Sequence, residues 1–170
     1  MRTGGTVERP TAAAMRPFSR SLPMQLMRAR EAVMRRFRPH LLSHGFSDQQ
    51  WRIIRALVDN GRLEIGALSA LCQIHPASLS RMLPKLAEDG FITRHSHQND
   101  QRRIVVAITP RARALFRAVA PESEEIYAAV EREFGGKRLG RLYRLLDQLI
   151  ETLDAGDART LSALPRRRRR

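Results

Sequence analysis

The chain has 170 residues, 42% apolar and 28% charged, which suits one soluble globular domain with its own core and room for a small subdomain. It has no run near the ~20 apolar residues of a membrane helix and no N-terminal apolar stretch of a secretory signal, so an intracellular protein without a membrane partner is expected. The single cysteine, Cys72, excludes an internal disulfide and a cysteine-cluster metal centre, while the net charge of +14 points to a polyanionic partner.

The first twenty residues contribute +3 and the terminal run Arg166 to Arg170 contributes +5, which leaves +6 on the body. Residues 1–20 mix Gly, Pro, Ala, Thr and Arg without periodicity and read as a disordered basic arm. From Leu22, apolar residues recur at Leu26, Ala29, Val33 and Phe37, the spacing of a helix, which Pro39 is expected to kink or end. A second helix begins after Ser47. Ser47 and Gln50 form a capping box, and Phe46 and Trp51 are placed as a hydrophobic staple. It runs to about Asn60, before Gly61.

A third helix fits Leu63 to Gln73, and a fourth opens at Pro76 and closes at Gly90. The fourth carries the apolar stripe Leu79, Met82, Leu83, Leu86. Phe91–Arg94 and Ile104–Ile108 read as two strands around a polar loop, His95–Arg103. Thr109-Pro110 caps a fifth helix, in which Pro121 is expected to make a bend. After Gly135-Gly136 a sixth helix carries Leu139, Leu142, Leu146, Leu149 and Leu153. Its stripe exceeds what a small core needs, which implies a partner helix. Residues from Asp154 onward read as a tail.

Helix, helix, helix, strand, loop, strand across residues 47–109 is the order of a winged helix-turn-helix. Opposite the apolar stripe of the fourth helix lie Ser78, Arg81 and Lys85, with Ala77 and Ser80 near its start. Small and hydroxyl residues followed by long cations suit a helix whose N-terminal end enters a DNA major groove. The loop residues Asn99, Asp100, Arg102 and Arg103 suit a wing: arginine at a loop tip meets phosphate or the minor groove, and an aspartate two positions before it holds it by a charge-assisted hydrogen bond.

The run from Asp100-Gln101-Arg102-Arg103 through Ile104 to Thr109-Pro110 resembles the wing signature of MarR-type regulators. Ala29 to Met34, Phe37-Arg38-Pro39 and Gln49 to Arg55 resemble, more specifically, the branch of homoprotocatechuate-degradation repressors. The resemblance spans about Leu22 to Leu153. It implies a homodimer built from the terminal helices, and repression of an aromatic-catabolic operon relieved by a small phenolic acid.

The expected class is therefore mainly α with a small β wing (α+β). Residues 1–20 form the arm, 21–46 the first helix, 47–109 the DNA-binding domain, 110–155 the dimerisation helices, and 156–170 a disordered Arg-rich tail. Leu142, Leu146 and Leu149 are the expected dimer contacts. The expected partners are a second copy, a double-stranded inverted-repeat operator with half-sites ~10 bp apart, and the phenolic acid; the location is cytoplasmic and nucleoid-associated. Two features depart from the family pattern: Pro84 inside the fourth helix, which puts the role of Lys85 in doubt, and the arginine tail.

For the effector, Arg28, Arg30, Arg35, Arg36 and Arg38 crowd the first helix, so some must turn toward protein. A guanidinium beside Trp51 suits an aromatic carboxylate, the fork holding the acid while the ring stacks. Arg28, Arg30, Arg38, His44 and Trp51 are the candidate ligand residues. The alternative is that Arg30 pairs with a local carboxylate such as Glu31 and Trp51 is simply core.

Other chemistry finds less support. Gly135-Gly136-Lys137-Arg138 lacks the Lys-Ser/Thr of a phosphate loop, and no protease or hydrolase motif appears, so no enzyme is expected. His75, His95 and His97 read as solvated or phosphate-touching, so no metal and no cofactor beyond the acid effector are expected. Cys72 reads as an inert buried thiol. An effector-free architectural DNA-binding protein, or a redox- or metal-sensing regulator, remains the alternative.

Overall fold

The computed structural model describes residues 17–97 and 100–163, with side-chain environments for 17–95 and 104–155. Six helices and a three-stranded sheet follow one another as α1 (Leu22–Ser43), α2 (Asp48–Asn60), β1 (Arg62–Glu64), α3 (Ile65–Cys72), α4 (Pro76–Glu88), β2 (Ile92–His97), β3 (Asp100–Ile108), α5 (Pro110–Phe134) and α6 (Gly136–Ala163). A short 3-10 turn, Phe18–Arg20, precedes α1. The fold is the expected mainly helical one with a small antiparallel wing. No described helix is long and apolar enough to cross a membrane.

The local start signals fold as read. Ser47 Oγ accepts from the Gln50 N–H while Gln50 Oε1 accepts from the Ser47 N–H, closing the capping box, and the Phe46 and Trp51 rings meet at 5.9 Å. Thr109 Oγ1 accepts from the Ala112 N–H at the start of α5 and donates to the Gly90 carbonyl, tying the end of α4 to the next long helix. Gly90 (φ 72°) and Gly61 (φ 74°) adopt the left-handed backbone that ends α4 and α2.

Several expectations are corrected. Pro39 does not end the first helix, which continues to Ser43, because Phe37, His40 and Leu41 on either side of it are buried and packing offsets the lost hydrogen bond. As expected, α4 continues through Pro84, held by fully buried Leu83 and Leu86, and α5 continues through Pro121. Residues 62–64 are not helical. They pair with β3, Leu63 opposite Val106, giving the strand order β1-β3-β2. The wing strands extend further than read, to His97 and from Asp100, and α6 continues ten residues past Leu153. The N-terminal sixteen residues and the Arg166–Arg170 tail lie outside the described residues.

The core is continuous from α1 to the wing. Ile53, Ile54, Leu57, Leu68, Leu79, Leu83, Leu86 and Val106 have no measurable exposure, and Phe37, Leu41 and Trp51 extend the cluster to α1. Met82, expected in the core, is only partly buried against it. None of the described α6 side chains is buried.

Candidate DNA face and effector cavity

The outer face of α4 stands clear of the core. His75 caps the helix by accepting the Ala77 N–H on Nδ1 at 3.3 Å, and Pro76 follows at the first position, where its missing donor costs nothing. Ala77, Ser80, Arg81 and Lys85 are exposed and Ser78 is half-buried. Arg81 has no hydrogen bond or ion pair among the described residues. Lys85 is bound to Asp89 at 2.9 Å, and that carboxylate raises its pKa, so it is the less available of the two cations. Asn99 and the side chains of Asp100, Arg102 and Arg103 lie outside the described residues; the backbone places Asp100 opposite His97 at the turn between β2 and β3.

Where α1, α2 and α5 meet lies a cavity of about 160 Å³. Val33, Met34, Phe37 and Leu41 of α1 form one wall, with Arg30 at its edge. Asp48, Trp51, Arg52 and Arg55 of α2 form the second, and Tyr127 of α5 closes it. The helical periodicity of α1 puts 30, 33, 34, 37 and 41 on one face, and the capping box fixes where α2 begins and therefore where Asp48 and Trp51 project.

The aromatic walls are braced from behind. Trp51 stacks on Phe116 (5.5 Å, 18° between planes), and Phe37 meets Tyr127 at 4.7 Å. Arg55 donates to the Tyr127 hydroxyl at 2.9 Å, its guanidinium carbon 5.9 Å from that ring's centre. Arg52 donates to the Cys72 carbonyl at 2.7 Å; burial, and then the charge of Arg30, lower its pKa. Among the described residues, Asp48 is the one carboxylate lining the cavity. Arg30 reaches it at 3.8 Å and Arg38 at 3.2 Å. Three guanidiniums against one carboxylate leave the chamber positive, with apolar walls sized for a single ring.

Of the five sequence candidates, Arg30 and Trp51 line this cavity. Arg38 stands behind it: it grips Glu31 through both Nη atoms and Asp48 through Nε, holding the Glu31 carboxyl below its ordinary pKa. Glu31 is thus Arg38's partner, not Arg30's. Arg28 lies on a separate groove with Gln25 and Arg35. His44 sits at the C-cap of α1 near Glu122. Trp51 is both core, at 6% exposure, and cavity wall. Sequence reasoning missed Asp48 and Tyr127. Asp48 is hidden in plain view as an N-terminal helix carboxylate, and Tyr127 carries no local signal of its role.

On α6, Leu142, Tyr143, Leu145, Ile150 and Leu153 are exposed, and Leu146 and Leu149 are half-buried. Met27 and Leu42 of α1 are also exposed. Arg36 holds α1 to α5 by a two-pronged pair with Glu133, at 2.9 and 2.7 Å. Cys72 is buried, and burial raises its thiol pKa, which suits an inert core thiol.

The MarR family profile matches residues 46–104, from the α2 cap to the wing. The chain is 37% identical to the HTH-type transcriptional regulator FarR of Neisseria gonorrhoeae, over 79% of this chain and 92% of that one. It is 33% identical to the homoprotocatechuate degradative operon repressor of Escherichia coli, over 76% of this chain and 88% of that protein. Among solved structures, NadR in complex with 4-hydroxyphenylacetate superposes with a TM-score of 0.69 at 35% identity, over 83% of this chain and 97% of that one.

Proposed function

Because the chain belongs to the MarR family of transcriptional regulators, we propose that it is a homodimeric repressor that grips operator DNA with α4 and the wing and releases it on binding a small phenolic acid. The observation that carries the effector half is the cavity itself, with ring-sized aromatic walls and an excess of guanidinium. Such a site takes an aromatic carboxylate: the acid meets a guanidinium fork, the ring lies on Trp51 or Tyr127, and a phenolic hydroxyl is left to meet Asp48. Relatives support the class, since one represses homoprotocatechuate degradation and another is solved with 4-hydroxyphenylacetate.

Release follows from where the walls come from. α1 belongs to the helices expected to join two copies, and α2 belongs to the DNA-binding unit, so an occupant touching both favours one angle between them. If that angle sets the two α4 helices at a spacing the operator does not match, the ligand shifts the population away from the DNA-bound form. An occupied cavity with no preference between the two spacings would release nothing.

The test is calorimetric titration of 4-hydroxyphenylacetate and hydroxybenzoates into the wild type, Arg30→Ala and Tyr127→Phe. Saturable binding to the wild type, weakened in both variants, is expected. Equal binding by all three proteins overturns the assigned cavity, and no binding to the wild type overturns the ligand class.

A further inference from the structure

A second cluster of polar side chains lies on the junction of α1 with α5, and it lines none of the cavities described above. His40 and His44 are four residues apart on α1, so both rings project from one face; their centres are 5.1 Å apart and nearly perpendicular. Glu122, on α5, faces both. Its Oε2 lies 2.8 Å from His40 Nδ1 and 3.9 Å from His44 Nε2, and one ligand atom from each of the three residues falls within 4.8 Å of the others.

The state of His40 marks this cluster out from an ordinary ion pair. Its side chain is 2% exposed, and its Nε2 lies 3.0 Å from the Ser123 hydroxyl. Nδ1, by contrast, has no hydrogen-bond partner among the described residues. The Glu122 oxygen is within ion-pair distance of it but forms no hydrogen bond with it. A buried ring nitrogen without a partner costs free energy. With the proton on Nε2, donated to Ser123, Nδ1 carries a bare lone pair beside a carboxylate oxygen 2.8 Å away, an arrangement that repels until a cation is shared between them.

We propose that His40 Nδ1, His44 Nε2 and Glu122 Oε2 form a site for a late first-row divalent metal ion, of which Zn²⁺ is the best match. Two imidazoles and one carboxylate are a known zinc donor set, with bonds of about 2.0–2.2 Å. Ligand atoms around such an ion stand ~3.4 Å apart, so Glu122 Oε2 must move about 0.6 Å away from His40 Nδ1 and about 0.5 Å closer to His44 Nε2, while the two ring nitrogens, within 4.8 Å of each other, close by a rotamer adjustment of the accessible His44. With Nδ1 on the ion, Nε2 carries the proton and donates to Ser123 Oγ 3.0 Å away, the kind of outer contact that fixes the tautomer and orientation of a ligating histidine. Glu122 is more than half exposed and His44 one-third exposed, so an ion enters from solvent and keeps an open position for water. Bound there, it ties α1 to α5 little more than one helical turn before Tyr127, and so braces the wall of the effector cavity.

The test uses the full chain, freed of metal with a chelator. Zn²⁺ is titrated in competition with a chromophoric chelator, and Co²⁺ is read by its visible absorption, which reports nitrogen and oxygen donors in a four-coordinate field. One ion per chain is expected. His44→Ala and Glu122→Gln, both on accessible side chains, are each expected to weaken binding by more than about a hundredfold, above the roughly 10–100-fold that outer contacts contribute. Ser123→Ala weakens it less. Replacing His75, His95 and His97 together by Gln is expected to leave binding intact. No binding to the wild type, or binding that survives both His44→Ala and Glu122→Gln, overturns the site; loss of binding in the triple-Gln protein with retention in His44→Ala places the ion at the other histidines and also overturns it.

Discussion

The DNA-binding unit and α6 handle apolar surface in opposite ways. In the first, Ile53, Leu57, Leu68, Leu79, Leu83, Leu86 and Val106 from three helices and a strand are sealed from water. In the second, a 28-residue helix leaves Leu142, Leu145, Ile150 and Leu153 exposed and buries none of its described side chains. A leucine stripe facing water is not stable in isolation as a structure; helical stability comes mostly from packing one apolar face. The contrast teaches that the core of the DNA-binding unit is complete within one chain, whereas α6 leaves an apolar face uncovered there, the face to which the proposed homodimer assigns a second copy.

Three substitutions sharpen or break that contrast. The largest expected effect is in the sealed core. Leu83→Ala removes a fully buried side chain and is expected to cost about 3 kcal/mol, read by urea unfolding, with dimerisation of the folded fraction unchanged in sedimentation. If the dimer weakens in step with the fold, the two regions are not separable. Next comes Leu146→Asp on α6. Losing one leucine from a helix–helix seam costs about 2 kcal/mol of association, or roughly thirtyfold in the dimer dissociation constant. Sedimentation at stepped concentrations reads it; an unchanged dimer constant shows that the pairing surface lies elsewhere. The smallest expected effect is Arg81→Ala. It leaves both melting temperature and dimerisation in place and costs about 1 kcal/mol or more of discrimination between operator and altered sites. A uniform loss across all sequences would mean that Arg81 touches phosphate only.

What was legible in the sequence was what short segments decide. The capping box at Ser47, the Thr109 cap and the α4 stripe rest on residues within one or two turns of each other. β1 was not legible, because three residues become a strand only when Val106 of β3 arrives opposite Leu63. The prolines misled at Pro39 because packing on either side outweighed a local rule. The cavity was half legible. Arg30 and Trp51 announced a guanidinium beside an aromatic, but Tyr127 joins them only through the packing of α5 on α1 and α2, where it meets Phe37 and Arg55. The metal cluster divides in the same way: the spacing of His40 and His44 is visible in the chain, while Glu122 lies far along it.

The two sides of α4 also bear on how a protein of this kind diversifies. Leu79, Leu83 and Leu86 carry the load of the fold, and Ala77, Ser80 and Arg81 carry none of it. Exchanges on the outer side stay within about 0.5 kcal/mol of neutral for stability. Descendants of one ancestral gene are therefore free to trade operators through two or three codons while the scaffold stays constant. Novelty in what the helix reads does not have to wait for compensating changes in the core.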